Sequence, residues 1–139
     1  MPTLFTRIIE GEIPGTFVWS DDLCVAFLTI APLREGHTLV VPRAENDNWL
    51  DCPPELREHL MEVASVIGAA IADEWDPKKV ALMIVGLEVP HLHVHLVPIW
   101  DEIQDLDFAR ARPADRSDLE VVATRLTASL ERAGHRTGL

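Results

Sequence analysis

The sequence predicts an α+β domain built on a mainly antiparallel sheet. Short apolar runs separated by turn residues indicate strands in the first part of the chain, and a long segment with apolar residues every three or four positions indicates a helix after them. Two more strands and a final helix follow. This order of elements favours an α+β arrangement in one domain, residues 1–139.

The first third of the chain alternates short elements with turns. Residues 5–9 form an amphipathic opening that predicts one or two helical turns, and the breaker cluster at 11–15 ends it. Polar turn residues at 20–22 divide two apolar runs, which predicts a hairpin. The strands predicted here are residues 17–19, 24–28 and 37–42.

The remaining elements are marked more strongly. Residues 53–75 carry one apolar stripe with helical spacing, and Pro53 and Pro54 suit a first helical turn because their missing N–H groups have no helical partner there. The continuous apolar run at 80–85 predicts a buried strand. A histidine-rich strand comes next, then a polar loop at 101–116 and a C-terminal helix at 117–133.

Length and charge limit what the chain can do. With 139 residues, 47% of them hydrophobic, the chain can bury one core but not two of ordinary size. Its net charge of −11 argues against partners held by electrostatic attraction, such as nucleic acid or an anionic membrane. A small phosphorylated ligand stays possible, because it needs only a local group of N–H donors.

Two cysteines and the absence of apolar leaders favour a cytoplasmic protein. Cys24 and Cys52 form no close pair, and we expect both to be reduced and buried. The chain has neither a charged-then-apolar opening nor a run of about 18 apolar residues, so secretion and membrane spanning have no support in the sequence.

The most informative segment is residues 90–98, where three histidines alternate with aliphatic residues. In an extended chain, alternate side chains point to opposite faces, so His91, His93 and His95 share one face. A single histidine in a strand is usually structural, whereas three on one face risk mutual repulsion and bury no apolar surface. We therefore expect the row to carry chemistry.

Two kinds of chemistry suit this row. A metal site needs imidazoles that converge on one ion, and a straight strand spreads three of them too far, so such a site would recruit His37 or Glu88. Phosphate chemistry needs no convergence, because one imidazole can attack phosphorus while its neighbours hold the phosphate oxygens. The residues alone leave both interpretations open.

The motif and the segments before it resemble the histidine triad (HIT) superfamily, in its bacterial Hint-like branch. His91-Leu92-His93-Val94-His95-Leu96-Val97 matches the triad pattern of these nucleotide hydrolases and transferases. The ordered agreement extends upstream and covers roughly the first hundred residues. The matching upstream segments are residues 4–14, 21–22, 26–27, 30–32 and 36–43.

The resemblance implies a HIT-like fold, with a five-stranded sheet, a long central helix and a C-terminal helix, assembled as a homodimer. It also implies hydrolysis of a purine nucleotide or nucleoside phosphoramidate at the α-phosphate, with no cofactor and no metal. His93 would be the nucleophile and His91 would orient it. His95 would contact phosphate oxygens, and His37 would complete the polar cluster. The other class left open is a nucleotide-binding or scaffolding homodimer with little turnover.

The family pattern also implies a site for the nucleoside. Its apolar contacts to the base would come from Phe5, Ile8, Phe27 and Ile30, although these side chains could equally be ordinary core. The ribose is often held by an acidic residue next to the last of these, and here that position is Thr29. A hydroxyl binds a ribose less strongly than a carboxylate.

The chain departs from the family just before the triad. Many relatives have a hydroxyl residue that meets the phosphate or leaving group, and here Glu88 takes its place. We expect Glu88 to be partly desolvated beside the triad, to hold its proton there and to donate it to the leaving group. Some bacterial relatives bind structural zinc through cysteines where this chain has Thr3 and Thr6, so no such zinc is expected.

Overall fold

The computed structural model of the chain describes residues 1–100 and 103–139. Within these described residues, five strands and three α-helices make up the fold. The strands are β1 (Phe17–Ser20), β2 (Cys24–Leu28), β3 (Thr38–Pro42), β4 (Lys79–Met83) and β5 (Val94–Ile99). The helices are α1 (Leu4–Ile9), α2 (Pro54–Trp75) and α3 (Arg116–Arg132), with short 3-10 turns at Trp49–Asp51, Ile103–Leu106 and Phe108–Arg110.

The strands form one sheet in the order β1-β2-β3-β5-β4, and every neighbouring pair is antiparallel. The predicted hairpin is β1 and β2, and the crossover through α2 brings β4 and β5 back beside β3. The α+β class and the five-stranded, mainly antiparallel sheet are thus confirmed.

Alternate strand residues fill two separate cores. Cys24 and Ala26 of β2 point to the main core, which α2 and α3 cover. Val25 and Phe27 point to the opposite face, where α1 packs through Phe5 and Ile8. This period-two division follows from the pleat of a strand. It leaves a smaller, second core beneath α1.

α2 follows the sequence closely. Pro54 occupies its first turn, and Asp76, with a φ of 47°, ends it in the left-handed conformation before Pro77. Its predicted apolar stripe faces the sheet, because the buried residues recur at helical spacing. The buried residues of α2 are Leu60, Val63, Ala64, Ile67, Ala70 and Ile71.

The prediction of a buried strand at residues 80–85 is wrong. β4 lies at the edge of the sheet, so among residues 1–100 and 103–139 it has a strand on one side only. Leu82 is 41% exposed, and Ile84 and Val85 beyond the strand end are 38% and 53% exposed. A run of apolar residues identifies a strand but does not say where in the sheet it lies.

The segment after β5 is only partly covered by the structure. Of the polar loop expected at 101–116, residues 101 and 102 lie outside the described part, whereas half of the rest forms two short 3-10 turns. Within the described part of the chain, no helix has both the length and the apolar composition that crossing a bilayer requires.

Candidate active site

The three histidines of the motif alternate with core residues as expected, although only the last lies in a strand. β5 begins at Val94, and in the segment before it Leu92 N–H donates to the Asn46 carbonyl at 2.6 Å. All three imidazoles are buried, with His91 fully enclosed. The apolar partners that face the main core are Leu92, Val94 and Leu96.

His93 is held in one tautomer by its own main chain. Its Nδ1 lies 2.7 Å from the carbonyl oxygen of His91. A carbonyl only accepts, so Nδ1 must carry the proton and Nε2 must carry the lone pair in the neutral ring. Burial lowers the pKa of His93, and the nearby His91 ring lowers it further against the opposing effect of this hydrogen bond. His93 therefore presents an unprotonated nitrogen near neutral pH.

His37 and His95 form a relay that begins at a backbone amide. Leu33 N–H donates to His37 Nδ1 at 3.1 Å, so the proton of His37 is on Nε2, which lies 2.9 Å from His95 Nδ1. His95 then carries its own proton on Nε2. Burial, with His95 and His93 nearby, lowers the pKa of His37 to about 3, and burial with His93 nearby lowers that of His95 to about 4. Both rings are therefore neutral donors at pH 7.

A second network ties the start of α1 to His91. The His91 ring lies 2.8 Å through Nε2 from the Pro42 carbonyl and 2.6 Å through Nδ1 from Thr3 Oγ1. Glu45 accepts from Thr3 N–H at 2.8 Å and from Thr6 Oγ1 at 2.6 Å, and these bonds lower its pKa. Because the carbonyl accepts, Nε2 of a neutral His91 donates and Nδ1 accepts from the Thr3 hydroxyl.

Aromatic and aliphatic side chains surround the histidines on one side. The Phe5 ring lies 4.8 Å from the His93 ring and 5.4 Å from the Phe27 ring, both edge-on. Phe5, Ile8 and Phe27 are all buried in the second core. Their burial agrees with the alternative that these side chains are ordinary core residues. Ile30 differs, because 76% of it is exposed.

Thr29 and Glu88 lie at less enclosed positions. Thr29 is half-buried, and its hydroxyl accepts from Ala31 N–H at 3.3 Å. Glu88 is exposed in the turn before the triad. The expectation that Glu88 is partly desolvated is therefore wrong, because this turn projects into solvent. A role for its carboxyl in proton transfer does not follow from burial.

Sequence reasoning missed one aromatic residue. The Phe108 ring lies 5.1 Å from the His95 ring, although 44% of the residue is exposed. Arg34 fixes the start of this segment, because it pairs with the buried side chain of Asp105 at 2.7 Å and lies over the Trp100 ring. The sequence signal that could have identified Phe108 is a lone aromatic residue in a polar, charged segment.

The histidines do not converge as a metal site would require. Among residues 1–100 and 103–139, a single group of three ligand atoms lies within 4.8 Å of one another, and it consists of Asp21, Cys24 and His59. Neither the triad nor His37 belongs to it. His59, in α2, lies 2.7 Å from the Asp21 carboxylate.

Comparison with known proteins places these residues in context. The HIT domain model matches residues 10–102. An uncharacterized HIT-like protein of Saccharolobus solfataricus is 30% identical over 135 residues, which span 92% of this chain and 97% of that protein. The adenosine 5'-monophosphoramidase of Saccharomyces cerevisiae is 33% identical over 100 residues, which span 71% and 63% of the two chains.

A solved structure agrees over nearly the whole fold. The crystal structure of a hypothetical histidine triad nucleotide-binding protein from Sulfolobus tokodaii has a TM-score of 0.81 and 27% sequence identity to this chain. It covers 92% of this chain, and this chain covers 91% of it.

Proposed function

The chain belongs to the HIT-domain family, and from that premise we propose that it is a nucleotide hydrolase that acts at the 5'-α-phosphate of a nucleoside. The preferred nucleoside is adenosine and the preferred substrate is a nucleoside phosphoramidate, in keeping with the activity named for the yeast relative. The observation that carries the proposal is the bond from His93 Nδ1–H to the His91 carbonyl, which leaves Nε2 as a nucleophile.

The reaction divides one displacement into two. His93 Nε2 attacks the α-phosphorus, the bond from phosphorus to the leaving group breaks, and the leaving group departs with a proton. Water then attacks the nucleotidyl-histidine, which releases the nucleoside monophosphate and restores the neutral ring, and the proton that the water loses replaces the one taken by the leaving group. His91 orients the nucleophile through its carbonyl.

Neutral donors stabilise the charge on the phosphoryl oxygens. His95 Nε2–H is directed by the relay from His37 and is the proposed donor to these oxygens. Such a donor is already oriented before the reaction, so little reorganisation opposes it. The scheme uses imidazole and backbone N–H groups and requires no metal or other cofactor.

The geometry constrains the proposed base and ribose contacts less than it constrains the proposed nucleophile. Phe5 lies against His93, so an apolar surface adjoins the nucleophile. We propose that the base lies along the second core, with contacts from Phe5, Ile8, Phe27 and the exposed Ile30. The Thr29 hydroxyl is the proposed ribose contact.

Glu88 is proposed as the proton donor to the leaving group only in the bound complex, because its side chain is exposed in the free chain. If Glu88→Gln keeps full turnover and an unchanged pH–rate profile, Glu88 has no such role.

We also propose that the protein acts as a homodimer. The edge strand β4 and the residues after it expose Leu82, Ile84, Val85 and Leu87. An uncovered edge strand with apolar side chains is a favourable surface for pairing with another strand. A second copy of the chain is the proposed partner.

The decisive experiment compares metal-stripped wild type, His93→Ala and the control variant His135→Ala. Each is incubated with adenosine 5'-phosphoramidate and with diadenosine polyphosphates, and intact masses are recorded after rapid quenching. We expect turnover and a nucleotidyl adduct in wild type and in His135→Ala, and neither in His93→Ala. Turnover that needs added metal would contradict the mechanism. Nucleotide binding without turnover would instead support the alternative of a binding or scaffolding homodimer.

A further inference from the structure

A cluster of three different ligand types lies on the face of β2 opposite the second core. Asp21 is in the turn between β1 and β2, Cys24 begins β2, and His59 is in the second turn of α2. Asp21 Oδ2 lies 2.7 Å from His59 Nε2 and 3.6 Å from Cys24 Sγ. The Trp19 indole N–H also donates to this oxygen at 2.8 Å. Three protons thus point at one carboxylate oxygen.

The chemistry of this set is that of a zinc-class site. Thiolate, imidazole and carboxylate are the ligands that Zn²⁺ takes in proteins, and the three ligand atoms here lie within 4.8 Å of one another. With metal–sulfur and metal–oxygen bonds of about 2.3 and 2.0 Å at a tetrahedral angle, the two ligand atoms are about 3.5 Å apart. The observed separation of Cys24 Sγ and Asp21 Oδ2, 3.6 Å, already meets this requirement.

The distance between the ligand atoms of His59 and Asp21 needs only a small increase. Nitrogen and oxygen ligands at about 2.0 Å from one ion lie about 3.3 Å apart, so the His59 ring would move by roughly half an ångström. The side chains of His59 and Asp21 are 31% and 25% exposed, so an ion can reach the cluster from solvent. Oδ1 of Asp21 is fixed by the N–H groups of Leu23 and Cys24, both at 2.8 Å. The carboxylate is therefore held in place before any ion arrives.

The formal charges of the three ligands would also cancel the charge of a divalent ion. Burial alone would raise the pKa of Asp21, but hydrogen bonds from Trp19, Cys24, Leu23 and His59 hold it at about 2, so the carboxylate is ionised at neutral pH. Burial and the neighbouring Asp21 raise the pKa of Cys24, against the opposite effect of Arg43, so the free thiol is protonated. Binding a divalent ion would release that proton and leave a site with no net charge.

We propose that Asp21, Cys24 and His59 bind a zinc-class divalent ion, with a fourth position open to water. The ion would join the β1–β2 turn and the sheet to the start of α2, and the Trp19 N–H would support the carboxylate ligand. This proposal is independent of the proposed function, because none of the three side chains belongs to the histidine cluster.

Cobalt(II) absorption tests the proposal on the full chain. Co²⁺ bound to a thiolate gives a charge-transfer band in the near ultraviolet, whereas Co²⁺ bound to the triad histidines cannot, since they carry no sulfur. We expect one equivalent of Co²⁺ to give this band in the wild type. The matched control is Cys52→Ser, which removes the other buried cysteine and should keep the band. Cys24→Ser should lose it.

A second measurement covers the case in which a variant folds poorly. In a His93→Ala background, Zn²⁺ should raise the melting temperature of the protein by several degrees, and adding His59→Gln should weaken the apparent affinity at least about tenfold. Far-UV circular dichroism checks that each variant is folded. Absence of the thiolate band in folded wild type, or its persistence in Cys24→Ser, overturns the proposal.

Discussion

Each imidazole of the candidate site has its protonated nitrogen chosen by a different neighbour. The His91 carbonyl selects Nδ1 of His93, whereas the Leu33 amide selects Nε2 of His37. The tautomers therefore depend on hydrogen bonds more than on titration. A change that removes one hydrogen bond alters which nitrogen is available, and this gives predictions for residues that do not contact substrate.

Thr3→Val removes the hydroxyl that bonds His91 Nδ1. A buried polar atom left without its partner costs about 1–3 kcal/mol, and loss of the N-cap of α1 adds about 1 kcal/mol. We expect a lower melting temperature and a kcat reduced about tenfold, with KM nearly unchanged, because His91 no longer positions His93 firmly.

Two variants separate positioning from general instability. Thr3→Ser keeps both hydrogen bonds and should restore kcat. Thr6→Val removes the bond to Glu45 but keeps the Thr3 cap and the bond to His91, so its kcat should stay near that of wild type. Equal losses of kcat in Thr3→Val and Thr6→Val would contradict a positioning role for Thr3.

Phe108→Ala tests whether the residues after the triad recognise the leaving group. An aromatic contact is worth about 0.5–1.5 kcal/mol beyond its buried area, so kcat/KM for a phosphoramidate with an aromatic amine should fall about two- to tenfold. The unsubstituted phosphoramidate should be little affected. Trp49→Ala is the matched control, because Trp49 is 47% exposed and Phe108 is 44% exposed. Equal effects on both substrates would exclude this role.

At the scale of elements, the edge strand β4 is the feature that the free chain leaves incomplete. Its apolar sequence predicts a core strand, yet no other strand in the described part of the chain pairs with its outer side. The sequence could predict that the strand exists, because a run of apolar residues indicates that at least part of the segment is buried. It could not predict the edge position, because pairing order depends on the crossover through α2 and on contacts far apart in the chain.

The double variant Leu82→Glu and Ile84→Glu places charges on this edge, and we expect it to be monomeric. Wild type should elute with a mass of roughly 31 kDa, twice the 15.5 kDa of one chain, in size exclusion with light scattering. Leu50→Glu is the control, since Leu50 is 64% exposed but lies outside β4 and its flanks. A monomeric wild type would contradict the homodimer.

For the whole molecule, burying neutral histidines couples stability to pH. The pKa values of His37 and His95 are about 3 and 4, below the ordinary value of about 6.5 in the unfolded chain. Between these values the unfolded chain binds more protons than the folded one, so stability is full above about pH 6.5 and is lost as pH falls towards 4 and 3.

The expected result is a melting temperature that is flat above about pH 7 and falls steadily below about pH 6. The loss amounts to a few kcal/mol by pH 4, since each unit of pKa difference is worth about 1.4 kcal/mol. Calorimetry of wild type and His37→Gln between pH 4 and 8 measures it. If both proteins showed the same dependence on pH, His37 would not contribute.

Much of the molecule could be predicted from local patterns. The helix at 54–75 and the face shared by the three histidines follow from periodicity alone. The relay from Leu33 to His95 and the bond from Thr3 to His91 could not be predicted, because each joins residues far apart in the chain by a specific distance. The exposure of Glu88 could not be predicted for a related reason, since the exposure of a turn depends on what folds around it.

The hydrogen-bond acceptor that fixes the tautomer of His93 is the main-chain carbonyl of His91. Every amino acid at position 91 retains a carbonyl, so no single codon change deletes this acceptor. Mutation can act on it only by moving the backbone or by replacing His93 itself. A scan of side-chain substitutions will therefore undervalue this contact. Replacing the peptide bond after residue 91 by an ester weakens this carbonyl as an acceptor and also removes the Leu92 N–H that donates to the Asn46 carbonyl, so this chemical change would report the two hydrogen bonds together.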